Sequence, residues 1–444
     1  MSGFFRSYFF TERLYAALGI LIGLFLLSYA LPWLFYPVEL ATYLLLVALI
    51  GDSVVLYQKR KLISAERRTA EKYSNGDANL VGIIVESKYP FPVSVKVIDE
   101  VPVQFQLREQ SFDAMLLPFT PVNFNYELRP VKRGAYVFGL INIMVSTKLG
   151  LVQRRFQEGE TIEVAVYPSY VQMRKYELLA ISNQLKEFGV KKIRRIGNNM
   201  EFEQIKNYVS GDDYRKVNWK ATARKSQLMV NQYQEERSQH VYSVVDKGRM
   251  MQQPFEGLSL LDYAINASLA ISNIALKKGD KAGVVTFQQK VNSFLPSSSR
   301  NIQLNLILEH LYKQKTAYKE ADFGRLYATL RRKVNQRSLV LLYTNFESLS
   351  SMQRQLASLQ KIAKQHLLVC IIFENTEVDD LINSPAIDME QVYTKGIAEQ
   401  LVYEKKLIVK ELKAHGIQTV LTKPKDLTVN TINKYLELKS RGLI

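Results

Sequence analysis

Sulfur and imidazole are scarce in this chain of 444 residues. The single cysteine, Cys370, excludes an intramolecular disulfide and any site built from several thiolates. It lies in the apolar run 366–373, which points to a buried structural thiol rather than a nucleophile. The four histidines, His240, His310, His366 and His415, form no ligand pair at helical or strand spacing, so a zinc site has no support. The sequence also lacks a hydrolase triad, a phosphate loop, a paired-carboxylate motif and a cofactor fingerprint. These absences point away from an enzyme and give no catalytic residue, no cofactor, no metal ligand set and no small-molecule substrate.

Charge is missing where it matters most. Residues 15–36 read YAALGILIGLFLLSYALPWLFY, an uncharged run long enough to cross a hydrocarbon core of about 30 Å. Residues 38–57 form a second apolar run with one acid at its start, Glu39, and one near its end, Asp52. Asp52 reads either as an acid acting inside the membrane or as one near the interface that reaches water; its place near the segment end favours the second. A cleaved leader does not fit the first run, because the second follows directly and no small-residue cleavage site intervenes. Arg6 and Arg13 precede the pair, Lys59, Arg60, Lys61, Arg67 and Arg68 follow it, and the loop between carries no Lys or Arg. The expectation is a multi-pass hairpin with both termini and the soluble domains in the cytoplasm.

What remains is a folded, basic chain: 47% hydrophobic, 23% charged, net charge +17. That charge suits nucleic acid, an anionic membrane surface or an acidic partner. The basic residues are spread along the chain with no arginine-rich arm, so no specific nucleic acid is expected and tethering to an anionic leaflet is the simpler account. Residues 191–195, KKIRR, are the best local support for anionic lipid or nucleic-acid binding.

Past the hairpin (15–57, after an N-terminal segment 1–14), residues 69–168 alternate apolar and polar positions in short runs broken by Pro, Gly and Asn. Examples are 80–86, 93–98, 101–107, 122–128, 134–145 and 162–167. This pattern predicts an antiparallel β-sandwich with a structural or recognition role. Residues 241–444 alternate strand and helix, which predicts an α/β domain with helices on both faces of a parallel sheet. The charged stretch 389–415 reads as a helix with an exposed face or a docking surface.

Between them, residues 171–240 carry the most distinctive string, YVSGDDYRKVNWKATARK at 208–225. Gly211, Asp212 and Asp213 form a turn that starts a short helix, followed by a strand over 228–233. Trp219 is expected in a core, and Arg215 and Arg224 paired with nearby acids; the competing reading is a ligand or anion site. The constellation Gly211, Asp212, Arg215, Val217, Asn218, Trp219, Lys220, Thr222, Ala223 and Arg224, then QEER at 234–237, resembles the signature of the bacterial proteins called "domain of unknown function 58". The segments 130–136 and 148–151 fit that family's pattern too, and the resemblance covers nearly all of the chain. It implies a von Willebrand factor A-like C-terminal domain, a bacterial inner-membrane location and association with a MoxR-type AAA+ ATPase. In metal-binding domains of that type the first strand ends in Asp-x-Ser-x-Ser, completed by a later Thr and Asp. Here those positions are Asp246, Gly248, Met250, Thr344 and Asn345, a degenerate set with one carboxylate, which a hard divalent cation would not favour. The resulting expectation is a non-enzymatic membrane scaffold that binds other proteins. A divalent-metal module or enzyme, and an anionic lipid or nucleic-acid binder, are the alternatives.

Overall fold

The computed structural model describes residues 6–58, 62–107, 110–181, 201–210, 212–234, 238–316, 318–383, 385 and 388–443. The chain divides into two compact units, Met1–Tyr167 and Pro168–Ile444.

The first unit opens with a three-residue strand, β1 (Tyr8–Phe10), before two apolar helices, α1 (Glu12–Ala30) and α2 (Phe35–Tyr57). Both helices are long and apolar enough to cross a membrane. Thr11 caps α1 by accepting from the Leu14 N–H. Leu31 ends it and a 3-10 turn, Pro32–Leu34, reverses the chain. Ten strands follow: β2 (Ile63–Thr69), β3 (Lys72–Ser74), β4 (Asn79–Ser87), β5 (Val93–Asp99), β6 (Gln110–Leu116), β7 (Pro121–Leu128), β8 (Gly134–Phe138), β9 (Ile141–Ser146), β10 (Val152–Glu158) and β11 (Ile162–Tyr167). They form sheets in the orders β1-β10-β9-β5-β6, β2-β4-β7 and β3-β11-β8. All pairings are antiparallel except β3 with β11. One core runs through the unit, filled by alternate residues such as Val81, Ile83 and Val85 of β4 and Val93, Val95 and Val97 of β5. The expected strand over 101–107 is instead a 3-10 turn, Val103–Phe105: Pro102 removes a ladder donor, and Gln106 adopts a left-handed φ of 55°.

The second unit begins with α3 (Tyr170–Ile181) and a ribbon of β12 (Glu201–Asn207) with β13 (Met229–Gln234), bridged by α4 (Trp219–Lys225). Next come β14 (His240–Asp246), the two-residue strands β15 (Pro254–Phe255) and β16 (Leu258–Ser259), α5 (Leu260–Lys277), β17 (Lys281–Phe287) and β18 (Val291–Ser298). The chain continues with α6 (Gln303–Tyr312), α7 (Phe323–Lys333), β19 (Leu339–Tyr343), α8 (Leu349–Gln365), β20 (Leu367–Phe373), α9 (Thr376–Asn383), α10 (Met389–Ala414), β21 (Gln418–Thr422) and α11 (Leu427–Ser440). The central sheet has the order β18-β17-β14-β19-β20-β21, parallel apart from the edge strand β18. Alternate residues of β14 feed two cores: Val241 and Val245 pack with α5 and α11, Tyr242 and Val244 with α7 and α8. Burial on both faces explains why β14, β19 and β20 read as continuous apolar runs. The strand order reverses beside β14, which makes the carboxyl ends of β14 and β19 the topological switch point.

Candidate functional site

Two places collect the residues singled out by sequence. The first is the switch point. Asp246 ends β14 and is buried. One carboxylate oxygen accepts from the Gly248 N–H at 2.7 Å and the other from the Thr344 hydroxyl at 2.8 Å. Burial raises its carboxyl to about 6, although those two hydrogen bonds pull the other way. Gly248 is fixed by crowding: a Cβ there would meet the Asp246 carboxylate at 3.0 Å and the backbone of Lys319 and Ala321 at 3.3 Å. Met250 lies in the 3-10 turn after it. Asn345 follows Thr344, and its side-chain oxygen accepts from the Lys405 ammonium at 2.5 Å, as does the Phe346 carbonyl. Burial lowers the Lys405 amine to about 8, with Glu347 and Glu404 pulling it back up.

The expected set of Asp246, Gly248, Met250, Thr344 and Asn345 therefore does converge on one end of the sheet. Its chemistry is nonetheless internal. The lone carboxylate is spent on a backbone N–H and a hydroxyl, and a cation of the chain's own sits on Asn345. A divalent ion beside Asn345 would have to face that ammonium across a few ångströms in a partly desolvated site, which is strongly repulsive. Lys405 itself was not legible as a site residue. It is one lysine among many on a charged helix, and only its contacts with Asn345 and Phe346 after β19 single it out. A cavity of about 280 Å³ adjoins it, lined by Met250, Phe255, Leu260, Phe373, Leu401 and Lys405 among others. Its rim carries the exposed pair Arg249–Glu347 at 3.3 Å.

The second place is the signature ribbon. Asp212 accepts from the Lys206 ammonium at 3.0 Å and the Val209 N–H at 3.1 Å, and these contacts hold its carboxyl below the usual range. Asp213 caps a 3-10 turn by accepting from the Arg215 N–H at 3.0 Å. Asn218 caps α4 through the Ala221 N–H at 3.0 Å and donates to the Asn231 side chain at 2.8 Å. Thr222 accepts from the Met229 N–H at 3.0 Å, and the Asn218 N–H donates to the Met229 carbonyl at 2.8 Å. Polar residues of the signature thus build a frame.

Trp219 is not in a core. It is 72% exposed, and Tyr214 is 70% exposed. Met229 and Val230 of β13 are buried, whereas the ring at the first position of α4 is left outward. Arg215 and Arg224 are exposed as well, with Arg215 5.7 Å from the Tyr214 ring. Gly211, residues 235–237 and the basic stretch 191–195 lie outside the described residues. Among the described residues, no group of three His, Cys, Asp or Glu side chains is placed to share a metal ion.

Asp52 also departs from expectation. It is 2% exposed and does not reach water. Its carboxylate accepts from the Leu151 and Val152 N–H groups, each at 3.0 Å, and from the Thr147 hydroxyl. One turn on, the Leu56 carbonyl accepts from Arg154 at 2.7 Å and from the Tyr89 hydroxyl at 2.8 Å. The end of α2 is thereby locked to β10.

Residues 204–390 match the family model "Protein of unknown function DUF58", a span that takes in the ribbon and most of the central sheet. The uncharacterized protein YeaD of Bacillus subtilis is 26% identical over 268 residues, 58% of this chain and 64% of that protein. The match thus spans less than two thirds of that relative's length. Among solved structures, the conserved hypothetical protein BatB from Bacteroides thetaiotaomicron aligns over 46% of this chain and all of that one, at 11% identity and a TM-score of 0.30. The CARDB domain of the PF1109 protein from Pyrococcus furiosus aligns over 23% of this chain and 86% of its own, at 16% identity and a TM-score of 0.18.

Proposed function

We propose that the chain is a membrane-anchored, non-enzymatic scaffold whose signature ribbon docks a protein partner, and that the partner is a MoxR-type AAA+ ATPase, as the family resemblance implies. The observation that carries this reading is the exposure of Tyr214, Arg215, Trp219 and Arg224 on a frame held by capped turns. Trp, Tyr and Arg dominate the energetics of protein interfaces, and a preorganised frame lowers the entropy lost on docking. The switch point supports a non-catalytic role, since its one buried carboxylate is committed to internal hydrogen bonds.

The α/β unit is taken as von Willebrand factor A-like on the basis of its strand order and antiparallel edge strand. The hairpin α1–α2 is the anchor. The strand before it, β1, pairs with a strand after it, β10, which supports both flanks lying on one side of the bilayer, and the basic flanks support the cytoplasm as that side. The test is affinity capture from membranes with the full, detergent-solubilised chain, with and without ATP. An AAA+ ATPase should be recovered, and Trp219→Ala with Arg224→Glu should lower its recovery by about tenfold or more. Failure to recover any such ATPase under either condition would remove the partner assignment.

A further inference from the structure

The helices leave the first unit through one end of its sandwich, and that end has its own surface chemistry. Three connections close it: residues 88–92 between β4 and β5, 117–120 between β6 and β7, and 147–151 between β9 and β10. The ladder registers bring them together. Val93 pairs with Leu116, and Ser94 with both Met115 and Ser146, so β5 starts where β6 and β9 end. The Phe119 N–H donates to the Ser87 carbonyl at 2.8 Å, which ties the second connection to the first. The third connection holds both helices, through Asp52 of α2 and through the Thr11 hydroxyl, which donates to the Gly150 carbonyl at 2.6 Å.

This end displays Leu117, Phe119 and Leu149, which are 55%, 65% and 59% exposed. Arg13, Lys88 and Lys148 are exposed beside them, the Arg13 guanidinium lying 3.5 Å from the carbonyls of Lys148 and Leu149. The helix lengths say how near a bilayer this end must come. Because Asp52 is seated on β10 and Leu49 packs against the sandwich core, only about residues 35–48 of α2 project freely, roughly 21 Å at ~1.5 Å per residue. Leu14 is buried, so the projecting part of α1 is about residues 15–30, roughly 24 Å. Both fall short of a core about 30 Å thick, which draws the sandwich end onto the headgroups.

We propose that this end of the sandwich is itself a bilayer-seating surface. Leu117, Phe119 and Leu149 insert at the headgroup level of the leaflet that the helices enter, and Arg13, Lys88 and Lys148 contact lipid phosphates. The proposal rests on the reading of α1–α2 as a transmembrane hairpin. The test uses the full chain with Cys370→Ser, reconstituted in vesicles of phosphatidylcholine and phosphatidylglycerol. Single cysteines replace Phe119, Leu149 or, as a control, Val103, and each carries a nitroxide. Val103 is 89% exposed and equally apolar, but lies in the turn between β5 and β6 at the other end of the ladder. Spin relaxation by oxygen, relative to that by a water-soluble nickel complex, should be several-fold higher at 119 and 149 than at 103. Equal, water-like values at all three, in protein that resists alkaline carbonate extraction, would overturn this proposal and leave the hairpin standing. Release of the protein by carbonate would overturn both.

Discussion

Asp246 shows how one residue can be kept in place at an energetic cost. Its carboxyl rises to about 6 in the fold, against about 3.9 for an unconstrained aspartate. Between those values the folded state holds a proton that the unfolded state has released, so stability falls as pH rises through this window and is level above it. The gap of about two units corresponds to about 3 kcal/mol. Asp246→Asn removes the titration, so the stability difference between the wild type and this variant should change by about 2–3 kcal/mol from pH 4 to 7, with the wild type losing ground as pH rises. Cys370 supplies the readout. It is fully buried in β20 with its thiol pushed up to about 12, and it should react only when the α/β unit opens. Trapping it with 4,4′-dithiodipyridine, which reads thiols in acid, across a urea series at each pH would give the two curves. A slope shared by wild type and variant would show that Asp246 is not the group responsible.

At the scale of elements, the clamp between α2 and β10 is the feature with the largest structural consequence. Asp52→Ala would leave two backbone N–H groups and the Thr147 hydroxyl without their acceptor in a buried site, at a cost of about 2–4 kcal/mol. Amide hydrogen exchange over 151–156 should accelerate by about a hundredfold, and by less in Asp52→Asn, which keeps one acceptor oxygen. Unchanged exchange would mean that the clamp contributes little. This element also marks the limit of sequence legibility. Strands β4, β5, β7 and β11 were readable because their inward positions are Val, Ile, Tyr and Leu at period two. In β10 the inward positions are Val152, Arg154 and Phe156, and the arginine that breaks the pattern is buried against the rings of Tyr57 and Phe156. In β2 the same disguise is worn by Arg67, paired with the buried Asp99. Strand β18 is an edge strand containing Pro296, with little burial to impose alternation. The site followed the same logic. Strand ends place Asp246 and Thr344 by topology, and that was legible, whereas Lys405 enters from a helix about 60 residues downstream and was not. Trp219 was misjudged because hydrophobicity alone does not say whether a fold has a face to offer it.

For the whole molecule, the pairing of β1 with β10 is a constraint on topology as much as on packing. Tyr8 faces Arg154 and Phe10 faces Val152, so the strand before the hairpin is hydrogen-bonded to one that comes after it. A strand on one side of a bilayer cannot pair with a strand on the other, and each unsatisfied backbone group in hydrocarbon costs several kcal/mol. If α1 and α2 span a bilayer, as proposed above, the chain crosses it an even number of times between those strands, which two helices satisfy and one does not. It follows that an epitope tag placed before β1 and another at the C-terminus must share a fate. With the proposed cytoplasmic orientation, external protease should remove both tags in sealed vesicles with the cytoplasmic face outward, and neither in vesicles of the opposite orientation. Opposite fates for the two tags would mean that α1 and α2 do not cross as a pair, and β1 could then not occupy the outer edge of the sheet beside β10. Removing residues 1–10 provides the complementary measurement. The start of β10 would then present an unpaired edge, and the truncated chain should show faster exchange along 152–154 and a greater tendency to self-associate.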